Sequence, residues 1–492
     1  MAEPEVLDHA GVTSNWGPAA LESGRRASTD YQNRFAGMRQ KWVNKNAYYY
    51  DSVKRLLQFI VEPNRRVLGI HCENGLWLDA VRPSRGVGVE VGEKMVEMAR
   101  QSYPQYQFLT AYPEELDLNE TFDYIIFNRI SDTTDILAAF QRLKPLCQSH
   151  SRLVIYTYNH LWKPIIELAE KMGFKMPLPE PNWLLESDLR SLLLLSGFEW
   201  LYTYKIILFP KWIPFISEFF NRFVARLPGF KHLCMVRVLV ARPAPIARAL
   251  KDISVSIIIP CKNEVGNIES AAQRIPGLGK HTEIIFCNDQ STDGTADKIK
   301  QIQQEYPEQD IKLVEGPGLC KAKNVWAGFN AAKGDVLMIL DADLAVMPEE
   351  LPYFFKAIVS GTAEFVNGSR CIYPMQKRAM KFMNMLGNKF FSIIFSYLLN
   401  QSVKDTLCGT KVLWRSDWER MKPRLDSWGT SDRWGDYELL FGAAKLHLRI
   451  VDLPVHYQER IHGATKMVKV FRNGLIMLRM CWAGFLKLKW SF

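Results

Sequence analysis

Val336-Leu337-Met338-Ile339-Leu340-Asp341-Ala342-Asp343-Leu344 reads as a buried parallel strand delivering two carboxylates to its carboxyl end. Open α/β sheets bind ligands in the crevice at that end. Asp341 and Asp343 are two residues apart, so in extended geometry they point the same way and can share one hard divalent cation. Mg²⁺ or Mn²⁺ prefers oxygen ligands and keeps positions open for phosphate oxygens. Met347-Pro-Glu-Glu350 is a helix N-terminus, so a second reading makes the acidic pair no more than the start of that helix.

Working outward, the same alternation recurs on both sides. Val255-Ser-Ile-Ile-Ile-Pro260 is a strand followed by a helix from Glu264. Glu283-Ile-Ile-Phe-Cys287 precedes a helix from Asp293, and Ile311–Val314 precedes a helix from Ala322. Strands alternating with helices predict βαβ units and a parallel sheet.

Three motifs close successive strands here: Pro260-Cys-Lys-Asn-Glu264, Asn288-Asp-Gln-Ser-Thr-Asp-Gly-Thr295 and Asp341-Ala-Asp343. With this order, residues 255–467 resemble the family-2 glycosyltransferases of GT-A fold. The resemblance implies a nucleotide-sugar donor, UDP- or GDP-linked. Glu264 and Asp289 would hold the base and ribose, Pro260, Asn263 and Asp293 would also bind substrate, and Lys323 would face the nucleotide, as would Lys321. A second reading of Asp293 is the cap of its helix. Asp343 would hold the metal, with Asp341 on the ribose or the same metal.

Further on, Arg370 in Asn367-Gly-Ser-Arg370 would bring a cation to the site. Asp436 and Glu438 in Trp434-Gly-Asp-Tyr-Glu438 stand at the family's acidic acceptor-side motif. Arg460 and Lys466 bound a late basic loop, Arg460-Ile-His-Gly-Ala-Thr-Lys466. Together with Asp405 and Gly409-Thr-Lys411, these resemble the polyprenyl-phosphate branch of the family, implying one inverting displacement onto a lipid phosphate. That phosphate is already largely ionised at pH 7, so Asp436 and Glu438 would orient groups. If the acceptor is instead a sugar hydroxyl, one of them must take its proton.

The N-terminal half shows a second α/β series. Strands are expected at Arg66–Ile70, Gly86–Glu90, Gln107–Leu109, Phe122–Phe127 and Arg152–Tyr156. The order resembles class I S-adenosylmethionine-dependent methyltransferases over residues 39–242, whose Gly-rich first turn and acidic end of the second strand match Gly75 and Glu90. The match departs at Gly69, His71, Glu73 and Tyr112, and bulky side chains in a first turn deny a ligand close backbone approach. The domain therefore either methylates a glycan or lipid, making the protein bifunctional, or serves for docking and regulation.

Length and composition frame these readings. A chain of 492 residues is expected to hold two domains. They are read as residues 31–242 (Rossmann-like methyltransferase fold) and 253–467 (GT-A fold), with a mobile tail at 1–30, a linker at 243–252 and a basic aromatic segment at 468–492. An apolar share of 48% and a charged share of 23% exclude a disordered chain. A net charge of +10 points to an acidic partner, and the motifs narrow this to nucleotide sugar and lipid, without nucleic acid. Nine cysteines without a Cys-x-x-Cys pair indicate reduced thiols in a cytoplasmic protein.

No signal peptide or membrane span is expected. Three stretches still mix aromatic and basic residues: 201–240, 379–399 and 468–492. In the second, Lys381, Asn384, Asn388, Ser392 and Ser396 form one polar stripe. Such segments suit a peripheral protein at the cytoplasmic face of a membrane. The first equally suits a helical lid, and the other two ordinary core or a homo-oligomer interface.

Overall fold

Apolar runs ending in polar residues form two separate seven-stranded sheets in the computed structural model, which describes residues 18–177, 183–373, 382–428, 432–458 and 470–492. The chain divides into two units, 1–244 and 245–492, within the stretch read as a linker.

The first unit contains β1 (Arg66–Ile70), β2 (Arg85–Glu90), β3 (Gln107–Thr110), β4 (Phe122–Phe127), β5 (Cys147–Tyr158), β6 (Phe198–Ile206) and β7 (Val236–Pro243). Their order is β3-β2-β1-β4-β5-β7-β6. The first five are parallel, and β7 runs antiparallel to both neighbours. This is the doubly wound arrangement, with its crevice between β1 and β4, where the strand order reverses. Leu68, Ile125, Leu153 and Leu239 are fully buried and belong to the core on one side of the sheet.

Two expectations are corrected here. Residues 18–30, read as tail, belong to a helix, Pro18–Phe35. Its ties are long-range, which a local pattern cannot reveal: Arg25 reaches Glu114 at 3.1 Å, and Asn33 accepts the Lys94 N–H at 3.1 Å. The 201–240 stretch is not one surface segment either. Its ends are strands β6 and β7, with Tyr202 and Tyr204 buried, because aromatic residues fit a pleated sheet as readily as an interface.

The second unit contains β8 (Ser254–Cys261), β9 (His281–Asn288), β10 (Asp310–Glu315), β11 (Val336–Ile339), β12 (Phe365–Ser369), β13 (Lys411–Trp414) and β14 (Ile450–Pro454), ordered β10-β9-β8-β11-β13-β12-β14. Strands β8 to β11 are parallel, while β13 is antiparallel to β11 and β12. Fully buried Val255, Ile257, Val336 and Met338 anchor β8 and β11 in the core. The strand order reverses between β8 and β11, so the crevice opens beside Asp341.

Helix Phe382–Leu399 is built with its polar side inward. Asn388 and Ser392 are buried, and the Asn388 side-chain oxygen accepts the Thr406 N–H at 3.2 Å. Met383, Leu386, Phe390 and Ile393 are exposed instead, on one face by their spacing. Helix Val470–Leu488, which packs against it, likewise exposes Leu475, Leu478, Trp482 and Leu486. Among the described residues, no helix is long and apolar enough to cross a membrane.

Candidate active site

At the carboxyl ends of β8 and β9 two loops lace into each other. Asn263, with φ at 55°, accepts the Thr292 N–H at 2.9 Å and donates its own N–H to Ser291 at 2.9 Å. Asp293 accepts from the N–H groups of Val265 at 3.2 Å and Thr295 at 3.0 Å. Both side chains, read as substrate contacts, have polar atoms committed to shaping the loops, and the N-cap of the helix that follows is Gly294, not Asp293. Glu264 opens helix Val265–Arg274 and accepts from the Asn267 amide at 2.8 Å. Pro260 stays in the ladder opposite Cys287.

Asp289 differs from these. It is buried at the end of β9, with Lys262 at 3.3 Å from Oδ2, while Oδ1 is buried without a hydrogen-bond partner. A carboxylate oxygen in that state costs free energy until a donor arrives, and a base N–H or ribose hydroxyl is such a donor.

The centre of the site lies where β11 ends. Lys321 Nζ stands 2.5 Å from Asp341 Oδ1. Burial alone would lower the Lys321 ammonium's pKa, but Asp341, Asp436 and Asp343 outweigh it and hold it above the usual lysine value. The other face of the Asp341 carboxylate lies against Gly409, where an added Cβ would fall 2.1 Å from Oδ2. Only glycine permits that approach. Asp343 accepts the Ala345 N–H at 3.2 Å.

Asp436 opens helix Asp436–Lys445 and pairs with fully buried Lys411 at 2.6 Å. Lys411 also donates to the Cys408 carbonyl at 2.5 Å. Three carboxylates and two ammoniums thus form one cluster with a net negative charge. The turn before Asp436 is held by Asp432, which accepts the N–H groups of Trp434, Tyr437 and Glu438. Glu438 is buried in the first turn of the same helix.

The structure separates several residues that the sequence grouped. Lys323 lines a shallow cleft with Glu315, Leu319 and Trp326, two positions on from Lys321 on a helix and hence on a different face. The Arg370 guanidinium does not stand open to a ligand. Its Nε and Nη2 reach both oxygens of fully buried Asp405 at 2.7 and 2.9 Å. Burial would raise the Asp405 carboxyl's pKa, but Arg370 outweighs it and holds it below the usual range. Arg460 and Lys466 lie outside the described residues.

Residues 256–435 match the family described as Glycosyl transferase family 2. The second unit carries a family-2 glycosyltransferase domain. The dolichol-phosphate mannosyltransferase of Pyrococcus furiosus is 38% identical over 120 residues, covering 24% of this chain and 33% of that protein. An undecaprenyl-phosphate 4-deoxy-4-formamido-L-arabinose transferase of Edwardsiella ictaluri is 31% identical over 111 residues, covering 22% and 34%. The chain thus spans about a third of the length of these curated relatives. Among solved structures, glucosyl-3-phosphoglycerate synthase of Mycobacterium tuberculosis, in complex with Mn²⁺, UDP and glucosyl-3-phosphoglycerate, aligns with TM-score 0.35 and 16% identity over 48% of this chain and 80% of that one. A methyltransferase of Thermotoga maritima aligns with TM-score 0.36 and 19% identity over 44% of this chain and 99% of that one.

The glycosyltransferase domain's donor set is testable against a metal. Among the described residues, no three carboxylate, imidazole or thiolate groups could hold an ion by themselves. Mg²⁺ at phosphate sites, however, is commonly held by one or two carboxylates, with phosphate oxygens and water completing the shell. Asp343 and Asp341 fit that pattern, with Lys321 as a competing cation on Asp341.

The first unit gives the opposite result for S-adenosylmethionine. Glu90, the expected ribose ligand, is fully buried. Its oxygens accept the N–H groups of Glu73 and Val91 at 2.9 Å each, and His71 lies 3.7 Å away. Burial pushes the Glu90 pKa up, but His71, Arg129 and the Val91 N–H outweigh it and hold the carboxyl below the usual range. Glu73 pairs with buried Arg39. At Gly75 the rings of Tyr103 and Phe108 come within 2.8 and 2.9 Å of where a Cβ would stand. Thr29 of helix Pro18–Phe35 meets Tyr112 at 2.9 Å. Gly75 and Glu90 as placed serve the chain's own packing and do not fit the cofactor.

Proposed function

We propose that the second unit transfers a sugar from a nucleotide-diphosphate donor to a polyprenyl phosphate, in one displacement with inversion at the sugar carbon. The observation that carries this is the Lys321–Asp341–Asp343–Asp436 cluster at the carboxyl end of β11. The relatives named for dolichol- and undecaprenyl-phosphate transfer support the lipid acceptor.

In this reading Asp289 receives a donor group of the base or ribose, and the β8 and β9 loops hold the nucleotide in place. Asp343 and Asp341 hold a divalent cation, Mg²⁺ or Mn²⁺, which neutralises charge on the diphosphate. Lys321 adds a fixed positive charge beside the same leaving group, where preorganised charge is worth most. Lys411 keeps Asp436 in place, so that residue orients the acceptor side. A phosphate monoester is ionised at neutral pH, so attack by its oxygen calls for no general base. The exposed apolar faces of helices Phe382–Leu399 and Val470–Leu488, flanked by exposed Lys389, Arg472 and Arg479, suit the membrane surface from which such a lipid is drawn. In this reading the protein works peripherally, at the cytoplasmic face where nucleotide sugars are available.

The test incubates the full chain with a panel of UDP- and GDP-sugars, polyprenyl phosphate and Mn²⁺ or Mg²⁺. The expected result is one labelled sugar in the lipid phase with stoichiometric nucleoside diphosphate. Label that reaches only water or a soluble glycan would overturn the lipid acceptor.

A further inference from the structure

Between β6 and β7 the first unit extrudes residues 207–235, which include a short helix, Ile216–Arg222. Ser217 and Asn221 on it point inward, while Glu218 and Arg222 pair with each other at the surface. Ser217 Oγ, fully buried, accepts the Ile213 N–H at 2.7 Å and donates to the Lys211 carbonyl at 2.6 Å. Asn221 Oδ1 accepts the N–H groups of Leu208 at 2.7 Å and Phe209 at 2.8 Å, and its amide donates to the Phe209 carbonyl at 2.7 Å and to Tyr48 at 3.0 Å.

With the polar side locked down, the rings must face out. Phe215 is 90% exposed, at a φ of 63° that aromatic residues seldom adopt. Phe219 and Phe223 follow at helical spacing, 57% and 49% exposed, with rings stacked 6.1 Å apart. Trp212 and Phe230 are also exposed. An apolar display this size, held rigid by internal hydrogen bonds, marks an interaction surface.

Charge identifies the partner. Of the basic residues from 205 to 233, Lys205 pairs with Glu186, Arg222 pairs with Glu218, the sole acidic residue of that stretch, and Arg226 is buried, so Lys211 and Lys231 are the cations at the surface. Exposed Phe174 sits at the edge with Lys45 and Lys211 at 5.9 and 5.8 Å from its ring. A second copy docked face to face would set these cations against one another, as an isologous interface repeats each patch on both sides. Aromatic residues among cations instead match the headgroup region of an anionic bilayer. We propose that residues 207–235 form a membrane-docking surface of the first unit, with Trp212, Phe215, Phe219 and Phe223 entering the interface and Lys211 and Lys231 meeting anionic headgroups. The surface stands independently of the transferase reading.

The test floats the full chain with vesicles of phosphatidylcholine, with and without phosphatidylserine. To isolate this surface, the background carries Leu386→Ser, Phe390→Ser, Leu478→Ser and Trp482→Ser. In that background vesicle binding persists, strengthened by phosphatidylserine. Adding Phe215→Ser, Phe219→Ser and Phe223→Ser lowers the partition coefficient by about tenfold or more, roughly 1.4 kcal/mol, at an unchanged melting temperature. Lys211→Gln with Lys231→Gln abolishes only the phosphatidylserine increment. No binding in the background, or binding indifferent to the Phe changes, overturns the proposal. So does a dimer in light scattering that the Phe changes dissociate. Sugar transfer to a short, water-soluble prenyl phosphate stays unchanged in the Phe variant; its absence in every form, wild type included, would count against the transferase reading and not against this surface.

Discussion

Lys321→Ala probes the cluster at its centre. The ammonium stands 2.5 Å from Asp341 Oδ1 and within the field of Asp436 and Asp343. Unit charges about 4 Å apart attract by roughly 4 kcal/mol at an effective dielectric near 20. The Lys321 side chain keeps 30% of its exposure and that of Asp341 keeps 33%, so solvent screening reduces the net value to about 1–2 kcal/mol. Three consequences follow. The melting temperature falls by about 2–6 °C for a unit of this size. A divalent ion also no longer competes with the ammonium for Asp341, so the Mn²⁺ concentration for half-maximal turnover falls by roughly tenfold, equivalent to 1.4 kcal/mol. Turnover at saturating Mn²⁺ falls as well, because the departing diphosphate loses one fixed cation. The assay is a Mn²⁺ titration of nucleoside diphosphate release, paired with calorimetric Mn²⁺ binding in the absence of donor. An unchanged or increased Mn²⁺ requirement in both would refute the view that Lys321 and the metal share one carboxylate.

Asp343→Asn is expected to abolish transfer at an unchanged melting temperature, and undiminished metal-dependent turnover would refute its assignment as ligand. Asp405→Asn leaves the Arg370 guanidinium buried beside an uncharged amide and costs about 3 kcal/mol at neutral pH. Because the folded Asp405 pKa is depressed, wild type holds that contribution above the unfolded value of about 3.9 and loses it as pH falls further. The gap between the two urea midpoints should therefore narrow below about pH 4; a gap independent of pH would sink the assignment. The full chain should show no S-adenosylmethionine-dependent rise in melting temperature, while Glu90→Gln destabilises by about 1–3 kcal/mol through the N–H groups its carboxylate satisfies.

The second sheet was legible because β8, β9 and β11 carry apolar runs that end in recognisable polar motifs. Side-chain destinations were not. Lys321 and Lys323 are equivalent in sequence, and only the position of their helix beside β11 sends one to Asp341 and the other to a separate cleft. Arg370 is a free cation until its partner, 35 residues away, is seen. Asp293 offers capping geometry and ligand chemistry in the same residue, and in the fold it ties the β8 and β9 loops together by accepting the Val265 and Thr295 N–H groups. In the first unit β1 to β5 follow the same apolar pattern, but β6 and β7 are hidden in an aromatic, basic stretch. That pattern is shared by a pleated sheet and a membrane interface, so it does not by itself mark where the strands begin and end.

The first unit also shows how a doubly wound sheet accommodates an acidic residue at the end of its second strand. The acidic residue ending β2 cannot simply be buried, since an unpaired carboxylate there carries the full desolvation cost. Glu90 accepts two backbone N–H groups, Glu73 takes Arg39, and aromatic rings pack over Gly75. Each of these arrangements stabilises the sheet, and each occupies an atom that a cofactor would need. Selection for stability and selection for cofactor binding therefore pull on the same residues in opposite directions. The chain does not satisfy this region completely: Asn74 Oδ1 and Trp77 Nε1, beside the same turn, are buried without a hydrogen-bond partner, so the sheet end keeps unpaired polar atoms at a cost in stability.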